Sequence, residues 1–412
     1  MFADKNKAHT FALNLIILNN NNMKKRISRA SLVLFLGTLA IACSSNDNAT
    51  DTVASVTKKE VVATYADIAY ANYKKAYDDA VILETAITTF TTSPSQANFD
   101  NAKNKWKESR ESYGTTEAFR FANGPIDDAN GPESMLNAWP LDEAYIDYVD
   151  GASSAGIINN PLLFPLITKA VLEAENENGG EKNISVGYHA IEFLLWGQDL
   201  TAPSEKKAGL RPFTDYTIGG TAAYQTRRAT YLNVCADLLT DHLEYMVNQW
   251  KVGGPYRTTF LALSEDVAIK NMYLGITTLV SAELPVERMY VALGNADQED
   301  EHSCFSDNTH RDIALNLQGV LNVYQGSYGT IDGPSLEDLV KQANTTTYNE
   351  TATSANDALS KVAAIITPFD LAISGGLDSV EGAKVNAAVI QLKNLGANLL
   401  AGASKLGITV NG

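Results

Sequence analysis

The run Gly187-Tyr188-His189-Ala190-Ile191-Glu192 sets an imidazole and a carboxylate three residues apart. On a helix that spacing puts both on one face, where a ring nitrogen and a carboxylate oxygen can converge on one ion. Gly187 removes a side chain close to the pair, so another backbone or a ligand can approach. Ile191, Phe193, Leu194, Leu195 and Trp196 surround it with apolar bulk. A neutral His and an ionised Glu are costly in such a wall unless something compensates them, and a metal ion would. By spacing alone, a structural His–Glu pair is the commoner outcome. The zincin pattern H-E-x-x-H is absent, since Ala190 and Phe193 stand where its Glu and second His would be. The Glu-x-x-His of helical di-iron proteins is present only in reversed order and once. Any further ligand must come from elsewhere in the chain.

A second segment is rich in possible ligands. Glu283 and Glu287 lie one turn apart in an apolar stretch, which is hard to excuse as surface. They precede Asp297-Gln298-Glu299-Asp300-Glu301-His302-Ser303-Cys304-Phe305-Ser306-Asp307-Asn308-Thr309-His310-Arg311-Asp312. Most of these acids read as a solvated loop, with Asp307 or Asn308 capping the next helix.

The elements that must position these residues are helical. Apolar and aromatic residues recur at three- and four-residue spacing over 61–90, and Ser95 is placed to cap a following helix through Trp106, Arg110 and Glu117. Further helices are expected over Pro161–Glu173, through the motif, over 221–250, 257–294 and Arg311–Gln325, after Ser335, and over 353–366 and 380–406. Strand-like alternation is almost absent. The expected fold is all-α, built as two helical bundles. The motif belongs to the first bundle, 59–252, and the second spans 253–412, with the boundary at Gly253-Gly254-Pro255.

The chain has 412 residues, 45% of them apolar, and a formal net charge of −16. That composition marks a globular protein, and its charge disfavours nucleic acid while suiting cations. Met23-Lys24-Lys25-Arg26, the apolar run Leu32–Ala42 and Cys43 resemble a bacterial lipoprotein signal. On this reading residues 1–42 are an upstream extension and signal peptide, Cys43 carries the lipid, and 43–58 form a flexible tether. Removing 1–42 takes away six basic residues and one acid, so the mature chain is more acidic still. Cys235 reads as a buried small hydrophobe, and a Cys235–Cys304 bridge is open.

Taken together, G-x-H-x-x-E with Leu195-Trp196-Gly197, the 297–312 run and the Glu283/Glu287 helix resemble the imelysin-like family of bacterial exported and lipid-anchored proteins. The resemblance runs from about residue 60 to the C-terminus. It includes the Trp106/Arg110/Glu117 helix, Trp139-Pro140 with Asp142, and Arg211-Pro212 with Asp215. It implies a two-domain all-helical fold with a pocket near the interface of the two bundles, containing the G-x-H-x-x-E helix, and a role in iron uptake, in a family filed among metallopeptidases. His189 and Glu192 carry over as the metal or functional pair. Gly187, Trp139, Asp142, Arg211, Asp215, Glu283, Glu287 and His302 follow as pocket residues.

Three readings stay open. The first is an outer-membrane lipoprotein, facing the periplasm or the surface, that binds a metal ion or iron-containing small ligand and works with other envelope uptake components. Iron is the favoured ion and zinc the second; carboxylate and phenolate oxygens suit ferric iron, imidazole suits ferrous iron or zinc. The second is a zinc peptidase, which lacks a second His on the motif helix. The third is a metal-free ligand-binding or adhesion module in which His189 and Glu192 brace the domains.

Overall fold

The structure is a computed structural model that describes residues 55–410. The signal, Cys43 and the tether as far as residue 54 lie outside the described residues. Helices of eight or more residues are numbered here; shorter ones are given by range.

Helix α1 (Lys58–Thr92) begins at a capping box: the Thr57 hydroxyl accepts from the Glu60 N–H, and the Glu60 carboxylate accepts from the Thr57 N–H at 2.9 Å. Ala66, Ala69, Ala76 and Ala80 are buried along it. Their small side chains let α2 (Gln96–Tyr113) and α4 (Gln225–Trp250) lie close on either side. As expected, Ser95 caps α2, accepting from the Asn98 N–H. The motif helix, α3 (Gly187–Trp196), is buried along its whole length against α2 and α4.

The second group of helices starts with α5 (Glu265–Thr278), which continues through a π-helical stretch, Leu279–Tyr290, into Val291–Asn295. Pro285 lies inside that stretch; with no N–H and a ring that would strike the carbonyl four residues back, it is accommodated by the wider turn. Then come α6 (Thr309–Gln325), α7 (Leu336–Ala343), α8 (Thr345–Ala363) and α9 (Val380–Lys405). A short hairpin, Ser327–Tyr328 with Ile331–Asp332, is the only sheet among the described residues. Ser335 opens α7 in a capping box with Asp338. Helix α9 packs on α8 and on the π-helical stretch, while α6 lies on the 3-10 turn Gly114–Phe119 that ends α2. That contact needs Gly319, where a Cβ would stand 2.5 Å from the Thr115 carbonyl oxygen.

The fold is all-α, and the described residues form one compact unit with a continuous apolar core. None of their helices is long and apolar enough to cross a membrane. One expected helix is shorter: only Lys169–Glu175 forms, because Pro161 and Pro165 interrupt the start. Leu162, Leu163 and Leu166 are left exposed there. Cys235 is buried, as its apolar helix suggests, and both Cys235 and Cys304 are free thiols.

Candidate functional site

Helix α3 begins where the chain turns sharply at Gly187, whose φ is +90°. A Cβ there would lie 2.7 Å from the Leu136 carbonyl oxygen, so only glycine allows both the turn and the approaching backbone. Trp106 fixes the next turn by donating from its indole to the Tyr188 carbonyl at 2.9 Å. With the helix so held, His189 and Glu192 are 1% and 0% exposed.

The pair is bonded to itself. His189 Nδ1 lies 2.8 Å from Glu192 Oε2, and Glu192 Oε1 accepts from the Ser306 N–H at 3.0 Å and its hydroxyl at 2.6 Å. Both carboxylate oxygens are therefore engaged. The atom left over is His189 Nε2, buried and without a hydrogen-bond partner. The spacing suggests two ligands on one ion; the geometry gives one free ring nitrogen and the group that orients its ring.

A second imidazole meets the first. The rings of His189 and His302 pack edge to face with centroids 4.7 Å apart. His302 repeats the arrangement, its Nδ1 2.9 Å from Asp312 Oδ2. The Ser303 hydroxyl also donates to Asp312 Oδ2, and Arg110 donates to Oδ1 at 2.9 Å. Trp139 closes one side, its ring edge-on to His302 at 5.6 Å and its indole donating to the Glu301 carbonyl at 2.8 Å. Two histidines thus face each other, each held by a carboxylate through Nδ1.

A chain of buried charge supports the pair. Arg110 also donates to Asn137 at 2.6 Å, and the Asn137 amide reaches towards Glu117 at 3.4 Å. Glu117 accepts from Arg288 at 2.6 Å, and Arg288 donates to Asn316 at 2.7 Å and to Glu283 at 3.1 Å. Burial, with Arg110 adding to it at His189 and Arg288 at His302, drives both histidines down to about 3, so both are neutral at ordinary pH. Burial raises Glu192 to about 8 despite the Ser306 bonds. At Asp312 burial acts in the same direction, but Arg110 and His302 overcome it and hold the carboxyl well below its usual range. Burial at Glu117 is likewise outweighed by Arg288 and Arg120, which bring it to about 2.

This donor set can be tested against a metal. A ligating histidine offers one nitrogen and commonly gives its other N–H to a carboxylate. His189 and His302 both have that carboxylate, and the orphaned Nε2 of His189 is the buried polar atom a metal would satisfy. Two imidazoles suit ferrous iron or zinc. Among the described residues, no three His, Cys, Asp or Glu ligand atoms converge around His189.

The imelysin family model matches residues 69–399. The chain belongs to the imelysin family. It is similar to iron-regulated protein A of Synechococcus elongatus, with 24% identity over 301 residues, covering 71% of this chain and 69% of that protein. Among solved structures it resembles a protein described as an iron-regulated protein A precursor from Parabacteroides distasonis. There the TM-score is 0.64 at 19% identity, covering 85% of this chain and 97% of that one. An imelysin-like protein from Psychrobacter arcticum gives 0.62 at 13% identity, covering 87% of this chain and 100% of that one. At these identities the structural likeness establishes the fold alone.

Not every residue expected in the imelysin site is there. Arg211 and Asp215 form a separate buried network at the far end of α3, where Arg211 donates to Asp147 at 2.7 Å and Arg228 donates to both oxygens of Asp147. Arg211 also lines an open cleft of about 810 Å³ with Tyr148, Gly197 and Gln198. Asp142 is exposed and caps the short helix Glu143–Ile146, accepting from the Ala144 N–H. Glu287 faces solvent, whereas Glu283 joins Arg288, because the π-helical turn separates what an α-helical turn would align. The residues missed are Asp312, Ser306, Arg110, Glu117 and Arg288. Arg110 and Glu117 lie in a helix, and Ser306 and Asp312 in a run, that the sequence singles out, but neither the charges nor the run says which of these side chains meet.

Proposed function

We propose that this imelysin binds a transition-metal ion, ferrous iron first and zinc second, through Nε2 of His189 and of His302, as part of iron handling at the cell envelope. The observation that carries the reading is the buried, unpartnered Nε2 of His189 beside a second carboxylate-held imidazole. Glu192 and Asp312 are then the groups that fix each ring and raise its basicity. When bound, the metal would supply positive charge and coordination positions for an iron-bearing ligand. The name of the Synechococcus relative supports the link to iron. The lipoprotein-like start supports an anchor at Cys43, placing the protein where uptake partners could reach it.

The test is metal content. Full-length protein equilibrated with ferrous iron without oxygen, and separately with zinc, should bind one ion. His189→Ala and His302→Ala should lose it, and Glu192→Gln should weaken it by about 10- to 100-fold. Equal uptake by all four proteins would sink the proposal.

A second, structural reading draws on the closure of the cluster, since Glu192 and Asp312 are both 0% exposed. Under it the same variants melt earlier while the metal content of every protein stays at background. A hydrolytic zinc site has less support, because it needs three protein ligands and an open position.

A further inference from the structure

We propose that Asp199, Asp307 and Asp370, backed by Glu301, form a second cation site in this protein, built for calcium. One oxygen from each aspartate lies within 4.8 Å of the other two. Opposite ligands of a single calcium ion stand roughly 5 Å apart, so one ion can touch all three. The donors are all carboxylate oxygens, the hard ligands that calcium takes and that the imidazole pair at His189 does not offer.

Acidic residues gather on many surfaces without binding anything, but these are not merely surface groups. Asp199 and Asp370 are each 3% exposed, and Oδ1 of Asp370 is buried without a hydrogen-bond partner. Glu301 is an independent sign. Its side chain is buried, and neither of its oxygens makes a hydrogen bond of good geometry, the Thr309 hydroxyl beside it compensating only in part. All three aspartates press on its charge. No Lys, Arg or His among the described residues forms an ion pair with any of the four. Lys107 is near enough to Asp307 to favour its charge but makes no ion pair with it. A concentration of like charge with no cation is costly, and a divalent ion would relieve it. Asp307 remains partly exposed, which leaves the ion a route in.

The three aspartates come from distant segments. Asp199 follows the end of α3, Asp307 ends the loop before α6, and Asp370 lies in the short helix Phe369–Ile373. An ion there ties these segments together. It also fixes Ser306, next to Asp307, whose N–H and hydroxyl hold Glu192. The site uses none of the ring nitrogens proposed for the metal at His189 and His302.

The test uses full-length protein stripped of metal, with calcium chloride as the probe and magnesium and zinc chlorides as controls. Calcium at a hundredfold excess over its Kd should raise Tm by about 3 °C or more, and equilibrium dialysis should count one ion. Asp199→Asn and Asp370→Asn should each lose most of that rise. Asp370→Asn should also melt no lower than wild type when both are metal-free, because it removes a repelling charge. His189→Ala should keep the calcium response, so failure of one metal site is distinguishable from failure of the other. No calcium uptake by wild type would overturn the proposal. So would a response unchanged in both Asn variants, a response to zinc alone, or one abolished by His189→Ala and kept by Asp370→Asn.

Discussion

At the residue scale, a single geometric fact separates the roles of the two motif side chains. Glu192 spends both oxygens, on His189 and Ser306, while His189 keeps Nε2 free. Ser306→Ala should therefore remove one of the two donors to Glu192 Oε1, leaving the backbone N–H, and lower stability by about 0.5–1.5 kcal/mol, read from chemical denaturation. Gly187→Ala should cost at least as much, since it adds a strained φ to a clash with the Leu136 carbonyl. The outcome that would count against the second prediction is an alanine variant as stable as wild type. Asp147 supplies a pH dependence. Burial would raise its pKa, but Arg211 and Arg228 bring it from 3.8 to about 2. A depressed carboxyl stabilises the fold fully above its unfolded pKa and loses that contribution as pH falls through the folded value. About 2 kcal/mol should thus disappear between roughly pH 4 and pH 2. Asp147→Asn, which strands two buried guanidinium groups, should cost about 3–5 kcal/mol at pH 7. That penalty should shrink in acid as the wild-type carboxyl itself protonates; urea midpoints at pH 7, 4 and 3 would show it.

At the element scale, the site is a meeting of four segments: α2 brings Arg110, α3 the motif, the 297–308 loop His302 and Ser306, and α6 Asp312. Of these, α3 was the most legible in the sequence. Its apolar run and Gly187 mark both its burial and its start. The 297–312 loop was legible as a cluster of ligand types, yet its acids had to be sorted by burial. Glu301 turns inward, while Asp297 and Asp300 do not. The Glu283/Glu287 pair shows where periodicity misleads: it assumes 3.6 residues per turn, and the π-helical stretch around Pro285 has a different pitch. A cap is a cleaner signal, because it is local. Ser335→Ala should lower stability by about 1 kcal/mol, since it removes the hydroxyl that accepts from the Asp338 N–H. An unchanged denaturation midpoint would show that α7 contributes nothing to the stability of the whole.

At the scale of the whole molecule, the ion-pair chain from Asp312 through Arg110, Asn137, Glu117 and Arg288 links α2, the turn after it, the π-helical stretch and α6. With a continuous apolar core, that linkage predicts one cooperative thermal transition for the described residues. Two well-separated calorimetric peaks would contradict it. The sequence by itself determined the helical class, the caps at Ser95 and Ser335, the burial of α3 and the placing of His189 and Glu192 on one face of it. Those follow from local periodicity, from backbone groups that need nearby partners, and from residue types scarce in apolar surroundings. Only the tertiary structure decided that Glu192 holds the His189 ring, that Asp312 holds His302, that Arg211 and Asp215 serve another network, and that Asp199, Asp307 and Asp370 converge. Each of those facts is a distance between segments far apart in the chain. Side-chain charge and periodicity fix which residues are costly to bury, but only packing decides which partner offsets that cost.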